Sequence, residues 1–326
     1  MNKIARQLLP FSSLLFIISL WTFLEPDNFL TMQNLFNVLR RSSISGIIAV
    51  GMTFVIITAG IDLSVGAMLA LCGMIGSLVM LTLSGGTWQA IAGGSFIDMG
   101  AAAMVTGTLA GVGLGAVFGL ANGLLITRLK LAPFIVTLGT MSIFRGISYL
   151  LNDGKPFAVS RYIYLDTGRV LGIPVSILLF ILVLLMFGFI LKYTPFGRYV
   201  YAIGANPQTA FHAGVNVRNV LVWVYTITGA LVGLAAMITV ARASSAQPSS
   251  GISMELDVIA AVIIGGCSPN GGRGTMTGTI IGTLLINFLR NGLTLLNIST
   301  NVQLVVIGLI IIIAVTAVQF ASRRED

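Results

Sequence analysis

The chain has 326 residues and a formal net charge of +8; 56% of its residues are hydrophobic, only 9% are charged, and the mean hydropathy is +0.99. An ordinary soluble domain carries about 25% charged residues, so this composition excludes a soluble globular enzyme, a disordered chain and a disulfide scaffold. It implies an all-α polytopic membrane protein forming a single domain over 1–326, because a span takes about 20 apolar residues and about ten spans would use most of the chain.

The first apolar run, Leu8 to Leu24, follows Lys3 and Arg6. It resembles a signal peptide. However, Trp-Thr-Phe-Leu-Glu-Pro stands where a small-x-small cleavage site would be, so a retained first span is expected. Thr31 then offers a helix cap, and Leu35, Val38 and Leu39 share one face ahead of Arg40 and Arg41. This pattern predicts a separate amphipathic helix lying at the outer surface. Further apolar runs lie at about 44–60, 64–84, 101–127, 132–151, 172–192, 220–241, 256–267, 275–290 and 302–320. The run at 256–267 is too short for a regular crossing. It suits half of a broken helix, or a tilted segment in protein-lined space.

Charge sets the orientation. With ten spans and both termini inside, the inner segments hold Lys3, Arg6, Arg128, Lys130, Lys192, Arg198, Arg218, Arg273, Arg323 and Arg324 against Asp62, Glu325 and Asp326. The outer segments hold Arg40, Arg41, Lys155, Arg161, Arg169 and Arg242 against a slightly larger number of carboxylates, while Arg145 and Arg290 fall within spans. The inner excess follows the positive-inside rule, so both termini are expected in the cytoplasm. The pI near 9.9 then reflects topology and not a nucleic-acid partner.

Small residues mark helix contacts. Gly107, Gly111, Gly115, Gly119 and Gly123 are four apart and line one helix face. Gly274, Gly278 and Gly282 repeat the pattern, and Gly229 and Gly233 form a shorter pair. Such faces let backbones approach closely within lipid. Gly60-Ile-Asp-Leu-Ser-Val-Gly66 and Asn270-Gly-Gly-Arg-Gly-Thr275 are two glycine-broken hairpins in the two halves of the chain. Asp62 or Ser64 can cap the helix that follows the first of them, or can serve in gating. Cys72 and Cys267 lie in apolar surroundings and His212 is the one histidine, so neither a disulfide framework nor a metal site is implied.

The longest inner segment, 193–219, carries the functional argument. Asn206 is a good N-cap, Pro207 suits the first helical position, and Gly214 provides a stop. The spacing predicts a helix of about 10 Å through Ala210, Phe211 and His212. It is too short to cross a bilayer and is shaped to dock in a groove on a cytosolic partner.

The segment Gly197-Arg-Tyr-Val-Tyr-Ala-Ile-Gly204-Ala-Asn206-Pro207-Gln-Thr-Ala210-Phe211-His212-Ala-Gly214-Val-Asn-Val resembles the cytoplasmic coupling loop of ribose-type ABC importer permeases. The resemblance spans nearly the whole chain. It takes in GMTFVIITAGIDLSVGA at 51–67, LAPFIVTLGT at 131–140, RGISYL at 145–150, 241–266, GGRGTMTGTIIGTLL at 271–285 and NGLTLLNIS at 291–299. Two positions depart from it: His212-Ala213-Gly214 stands where Leu-Ser-Gly is frequent, and Cys267-Ser268-Pro269 where Thr-Ser-Leu is frequent.

The resemblance implies the membrane subunit of a monosaccharide importer, located in the bacterial inner membrane and working by alternating access. It implies three protein partners: a cytoplasmic ABC ATPase that binds ATP and Mg, a periplasmic sugar-binding protein, and a second permease copy or paralogue forming a dimer within the lipid. This chain has no phosphate-binding G-x-x-x-x-G-K-[ST] loop, and Leu83-Ser84-Gly85-Gly86 reads as a turn. Arg198, Gly204, Asn206, Pro207, Ala210, Phe211, His212 and Gly214 would couple to the ATPase. Asn122, Asn287, Phe288 and Asn291 are candidates for the translocation pathway. Arg161, Arg169, Arg242, Glu255 and Asp257, placed near the outer surface, are candidates for docking the binding protein. The competing class is a self-sufficient secondary transporter or channel, which would usually need an intramembrane carboxylate or histidine for ion coupling.

Overall fold

The computed structural model describes residues 3–323 apart from 96, 98, 160, 161 and 163. The described residues form an almost wholly helical bundle. Its long helices are α1 (Lys3–Leu24), α2 (Met32–Ile57), α3 (Val65–Leu83), α5 (Ala101–Arg128), α6 (Pro133–Leu150), α8 (Val175–Tyr193), α11 (Val217–Ala243), α13 (Met276–Leu295) and α14 (Thr300–Arg323). The shorter helices are α4 (Trp88–Ala92), α7 (Tyr164–Thr167), α9 (Pro195–Ala205), α10 (Pro207–His212) and α12 (Met254–Ile264). Six helices (α2, α3, α5, α6, α8 and α11) are long and apolar enough to cross a membrane, by length and composition among the described residues.

The centre of the bundle is α5 packed on α11, with α3 and α2 against them. Glycine spacing explains this contact. A Cβ on Gly115 would collide with the Gly229 carbonyl, one on Gly119 with the Tyr225 carbonyl, and one on Gly233 with the Gly111 carbonyl. Gly107 meets Gly76 and Met80 of α3 in the same way. A second seam of this kind joins α12 to α13, where Gly278 faces the Gly265 carbonyl and Gly282 the Ala261 carbonyl. With no hydrophobic drive between helices in lipid, close backbone approach supplies the cohesion.

The N-terminal segment differs from the sequence expectation. Residues 32–41 are not a separate surface helix but the first turns of α2, capped by Thr31, whose hydroxyl accepts from the Asn34 N–H. Arg40 and Arg41 therefore lie inside a continuous helix, and their partners come from far along the chain. Arg40 pairs with Asp166 at 3.3 Å, and Arg41 lies beside Asp257 and Arg290.

Two ends of the bundle can be distinguished. At one end lie the close of α5, the joint between α2 and α3, α9, α10 and the 266–274 loop. The two glycine-broken hairpins meet there: the Gly272 N–H donates to the Ile57 carbonyl at 2.8 Å, and Gly204 is wedged against that same carbonyl. This end carries Arg128, Lys130, Lys192, Arg198, Arg218 and Arg273. The opposite end carries Glu25, Asp27, Asp153 and Asp166, with two short antiparallel pairings: β1 (Phe157–Ala158) with β4 (Ser245–Ala246), and β2 (Arg169–Val170) with β3 (Ile173–Pro174).

The segment around 256–267 holds a short helix that follows an irregular connection. α12 has 11 residues, about 16 Å at 1.5 Å each. The connection before it, 244–253, is irregular and bracketed by Ser244 (φ 50°) and Ser253 (φ 64°), both left-handed.

Candidate functional site

α10 follows its sequence signals closely. Asn206 Oδ1 accepts from the N–H groups of Gln208 (2.9 Å) and Thr209 (3.0 Å), satisfying two of the donors a helix start leaves open. Pro207 occupies the first position, and Gly214 at φ 84° reverses the chain. One side of this short rod is anchored, since Ala210 is buried. The other side is presented outward: Phe211 is 66% exposed, with His212 against its ring at 5.7 Å. A large aromatic held this openly on a six-residue helix is a ready anchor for another protein's groove.

Behind α10 sits α9 (Pro195–Ala205), a helix within the segment that the sequence presents as a loop. Its signals were present: Thr194 accepts from the Gly197 N–H, and Pro195 begins the helix. α9 buries Val200 and Ile203 and leaves Arg198 exposed. Gly204 ends it against Ile57, where any side chain would clash. Tyr201 donates its hydroxyl to the Gly274 carbonyl at 2.7 Å, and burial raises its pKa. Burial also pushes the Cys267 thiol up to about 11. α10 thus rests on a packed platform joined to the α2–α3 joint and to the loop before α13.

Asp62 and Ser64 lie in that joint. Asp62 Oδ1 accepts from the Ser64 N–H (2.9 Å) and hydroxyl (2.6 Å), and Ser64 Oγ accepts from Asn122 Nδ2 (3.0 Å). Neither side chain caps α3 in the usual way. Instead they tie the joint to α5, and Thr137 ties it to α6 through the Ile61 carbonyl at 3.2 Å.

The other pathway candidates make bonds between helices. Asn291 and Asn34 exchange both amide hydrogen bonds, at 2.8 and 2.9 Å. Asn287 donates to Ser45 Oγ at 2.9 Å and to the Thr283 carbonyl at 2.8 Å. Phe288 packs on Phe29, with ring centroids 5.9 Å apart, in a cluster with Trp21.

Among the docking candidates, Arg161 lies outside the described residues. Arg169 stands on β2 with its guanidinium over the Phe36 ring at 5.9 Å. It borders a cavity of about 490 Å³ that Arg40, Gln33 and Asn37 also line. Arg242 is exposed in the last turn of α11. Glu255 and Asp257 are not at the outer surface as the sequence suggested. Glu255 presses on Gly66 in the first turn of α3, and Asp257 is held by Arg290 at 2.7 Å. The break before α12 carries its first turn into the bundle, which no local pattern announces. Sequence reasoning also missed the grip of Arg145, whose Nη1 donates to the carbonyls of Pro248 (2.6 Å) and Ser250 (2.8 Å).

Comparison with known proteins bears on what this bundle does. Residues 34–315 match the family described as branched-chain amino acid transport system / permease component. The chain belongs to this permease family. It is 43% identical to the ribose import permease protein of Bacillus subtilis, covering 96% of this chain and 93% of that protein. It is 39% identical to the ribose import permease protein of Haemophilus influenzae (97% and 94%) and 38% identical to the D-allose transport system permease protein of Escherichia coli (96% and 91%). No solved structure matches it. As a member of this family it is a multi-pass inner-membrane permease, a transport subunit and not an enzyme.

Proposed function

We propose that this chain is the membrane-spanning subunit of an ATP-driven importer that carries a monosaccharide, ribose or a related pentose or hexose, into the cytoplasm by alternating access. The observation that carries the reading is α10, a capped, exposed rod standing at the end of the bundle where cations collect. Cations mark the cytoplasmic side. On that basis the bundle crosses about ten times with both termini inside, α1, α13 and α14 joining the six candidate spans and α12 adding a half-crossing.

The relatives' names concern ribose and allose, which supports a sugar as cargo. A separate ABC ATPase, holding ATP and Mg, would receive α10: Phe211 as anchor, with Arg198, Gly204, Asn206, Pro207, Ala210, His212 and Gly214 shaping and presenting it. Such a contact transmits work only if the ATPase binds α10 differently in its two nucleotide states. Asp62 and Ser64, one joint away from Gly204, would pass that movement to α3, α5 and α6. At the opposite end Arg169 and Arg242 would meet a periplasmic sugar-binding protein, and a second permease copy would complete the core within the lipid. Asn122, Asn287, Phe288 and Asn291 act in this scheme by setting helix positions beside the pathway.

Reconstituted vesicles test the reading against a self-sufficient carrier. The account expects monosaccharide uptake only when permease, ATPase, loaded binding protein and ATP are all present. Uptake by the permease alone would favour the carrier.

A further inference from the structure

We infer that the Ser244–Ser253 connection and the side of α6 that meets it form the wall of a water-filled route for a neutral, polyhydroxylated solute. The inference deepens the importer reading and rests on it.

The argument starts from depth. Asn122 lies six residues before the end of α5 at Arg128, about 9 Å along the helix. Its bond to Ser64 places the first turn of α3 at that level, well inside the bundle. Gly251 packs directly on Gly66 of that turn, and Glu255 on the same glycine. The connection therefore leaves α11 near the far end of the bundle, where β4 pairs with β1, and descends into membrane depth before α12 begins. Arg145 grips it on the way, twelve residues past Pro133 and so about 18 Å along α6.

This segment is polar and partly open. Gln247 and Ser249 are exposed, as are Ser142, Gly146 and Tyr149 along the neighbouring face of α6. Irregular backbone and an arginine at this depth are tolerated only where protein covers them or water reaches them. The gripped backbone and Arg145 therefore face protein or water and not lipid. Arg145 is occupied by two carbonyls, and the open positions of the wall are hydroxyl and amide groups beside Ile252 and Leu138, with no exposed charge among them. Those groups exchange hydrogen bonds with a sugar's hydroxyls and do not trap an ion.

Ile252 reports on this wall. It is 62% exposed, and Leu182 on α8 is 61% exposed on an all-apolar face, so the two differ in surroundings and not in openness. Both native cysteines are buried and leave a low background. The experiment uses the assembled importer in sealed vesicles, with membrane-impermeant thiol reagents of either charge. Ile252→Cys should react at least tenfold faster than Leu182→Cys, and reaction should cut sugar uptake at least tenfold for Ile252→Cys only. Cationic and anionic reagents should react within threefold of each other. Ser249→Cys, a near-isosteric change, provides a second reporter of the same wall should Ile252→Cys fail to assemble.

Equal rates at Ile252→Cys and Leu182→Cys in vesicles that take up sugar would overturn the inference. So would spontaneous disulfide formation between two Ile252→Cys copies with no reagent access, which would make the face a dry contact. A preference above a hundredfold for one reagent charge would overturn neutrality. The rate ratio is read without any sugar, so failure of wild-type vesicles to import a monosaccharide would count against the importer reading alone.

Discussion

The seam between α5 and α11 and the face where α6 meets the 244–253 connection belong to one bundle but follow opposite packing rules. In the seam, Gly115, Gly119 and Gly233 bring backbone against backbone and leave no room for a side chain. In the face, an arginine spends its hydrogen bonds on two irregular carbonyls, and polar side chains stay open at membrane depth. A membrane protein keeps its dry contacts where small residues repeat, and confines broken backbone to places that water or protein can satisfy. On the proposed importer reading, the difference would separate a rigid frame from the part that conducts.

The contrast can be broken most severely at the frame. Gly119→Leu should cost more than about 3 kcal/mol, since the added atoms meet the Tyr225 backbone with nowhere to go. Loss of monodisperse protein after detergent extraction is the expected reading, whereas Gly113→Leu, at a glycine with open space around it, should extract normally. Arg290→Met is next. It removes the hydrogen-bonded partner of Asp257, leaving only Arg41 nearby, and should cost about 1–3 kcal/mol after allowance for solvent screening, read as a lowered Tm. Ser64→Ala removes the hydroxyl between Asp62 and Asn122 and should cost about 1–3 kcal/mol at a fully buried site. Asn291→Leu breaks the amide pair with Asn34, and polar contacts between membrane helices average about 0.6 kcal/mol, so a small Tm drop is expected. The smallest effect is at Cys267. With its pKa pushed up to about 11 by burial, the thiol stays protonated at neutral pH, and maleimide should leave it unlabelled in the folded protein while labelling it after denaturation.

Legibility in the sequence followed the range of the interactions. α10 was readable to within a residue because its cap, its proline and its stopping glycine are all local. The glycine faces were readable because a period of four survives any neighbour, although the sequence could not say that Gly115 faces Gly229. The short run before 267 announced a short helix through its length alone. What could not be read depended on distant partners. Arg40 and Arg41 looked like the polar end of a surface helix because Asp166 and Asp257 are more than a hundred residues away in sequence. Glu255 and Asp257 looked superficial because nothing local shows that the chain has already descended to Gly66. Arg145 looked like a stray charge in a span because its partners are backbone carbonyls, which carry no sequence signature.

The central claim is that α10 receives the work of a separate ATPase through Phe211. Co-purification of the ATPase with a Phe211→Asp permease tests it most directly. Phe211 is exposed and makes no core contact, so the variant should insert and extract like the parent chain. The account predicts that the ATPase no longer co-purifies and that sugar uptake is lost. Undiminished co-purification with that variant would contradict it.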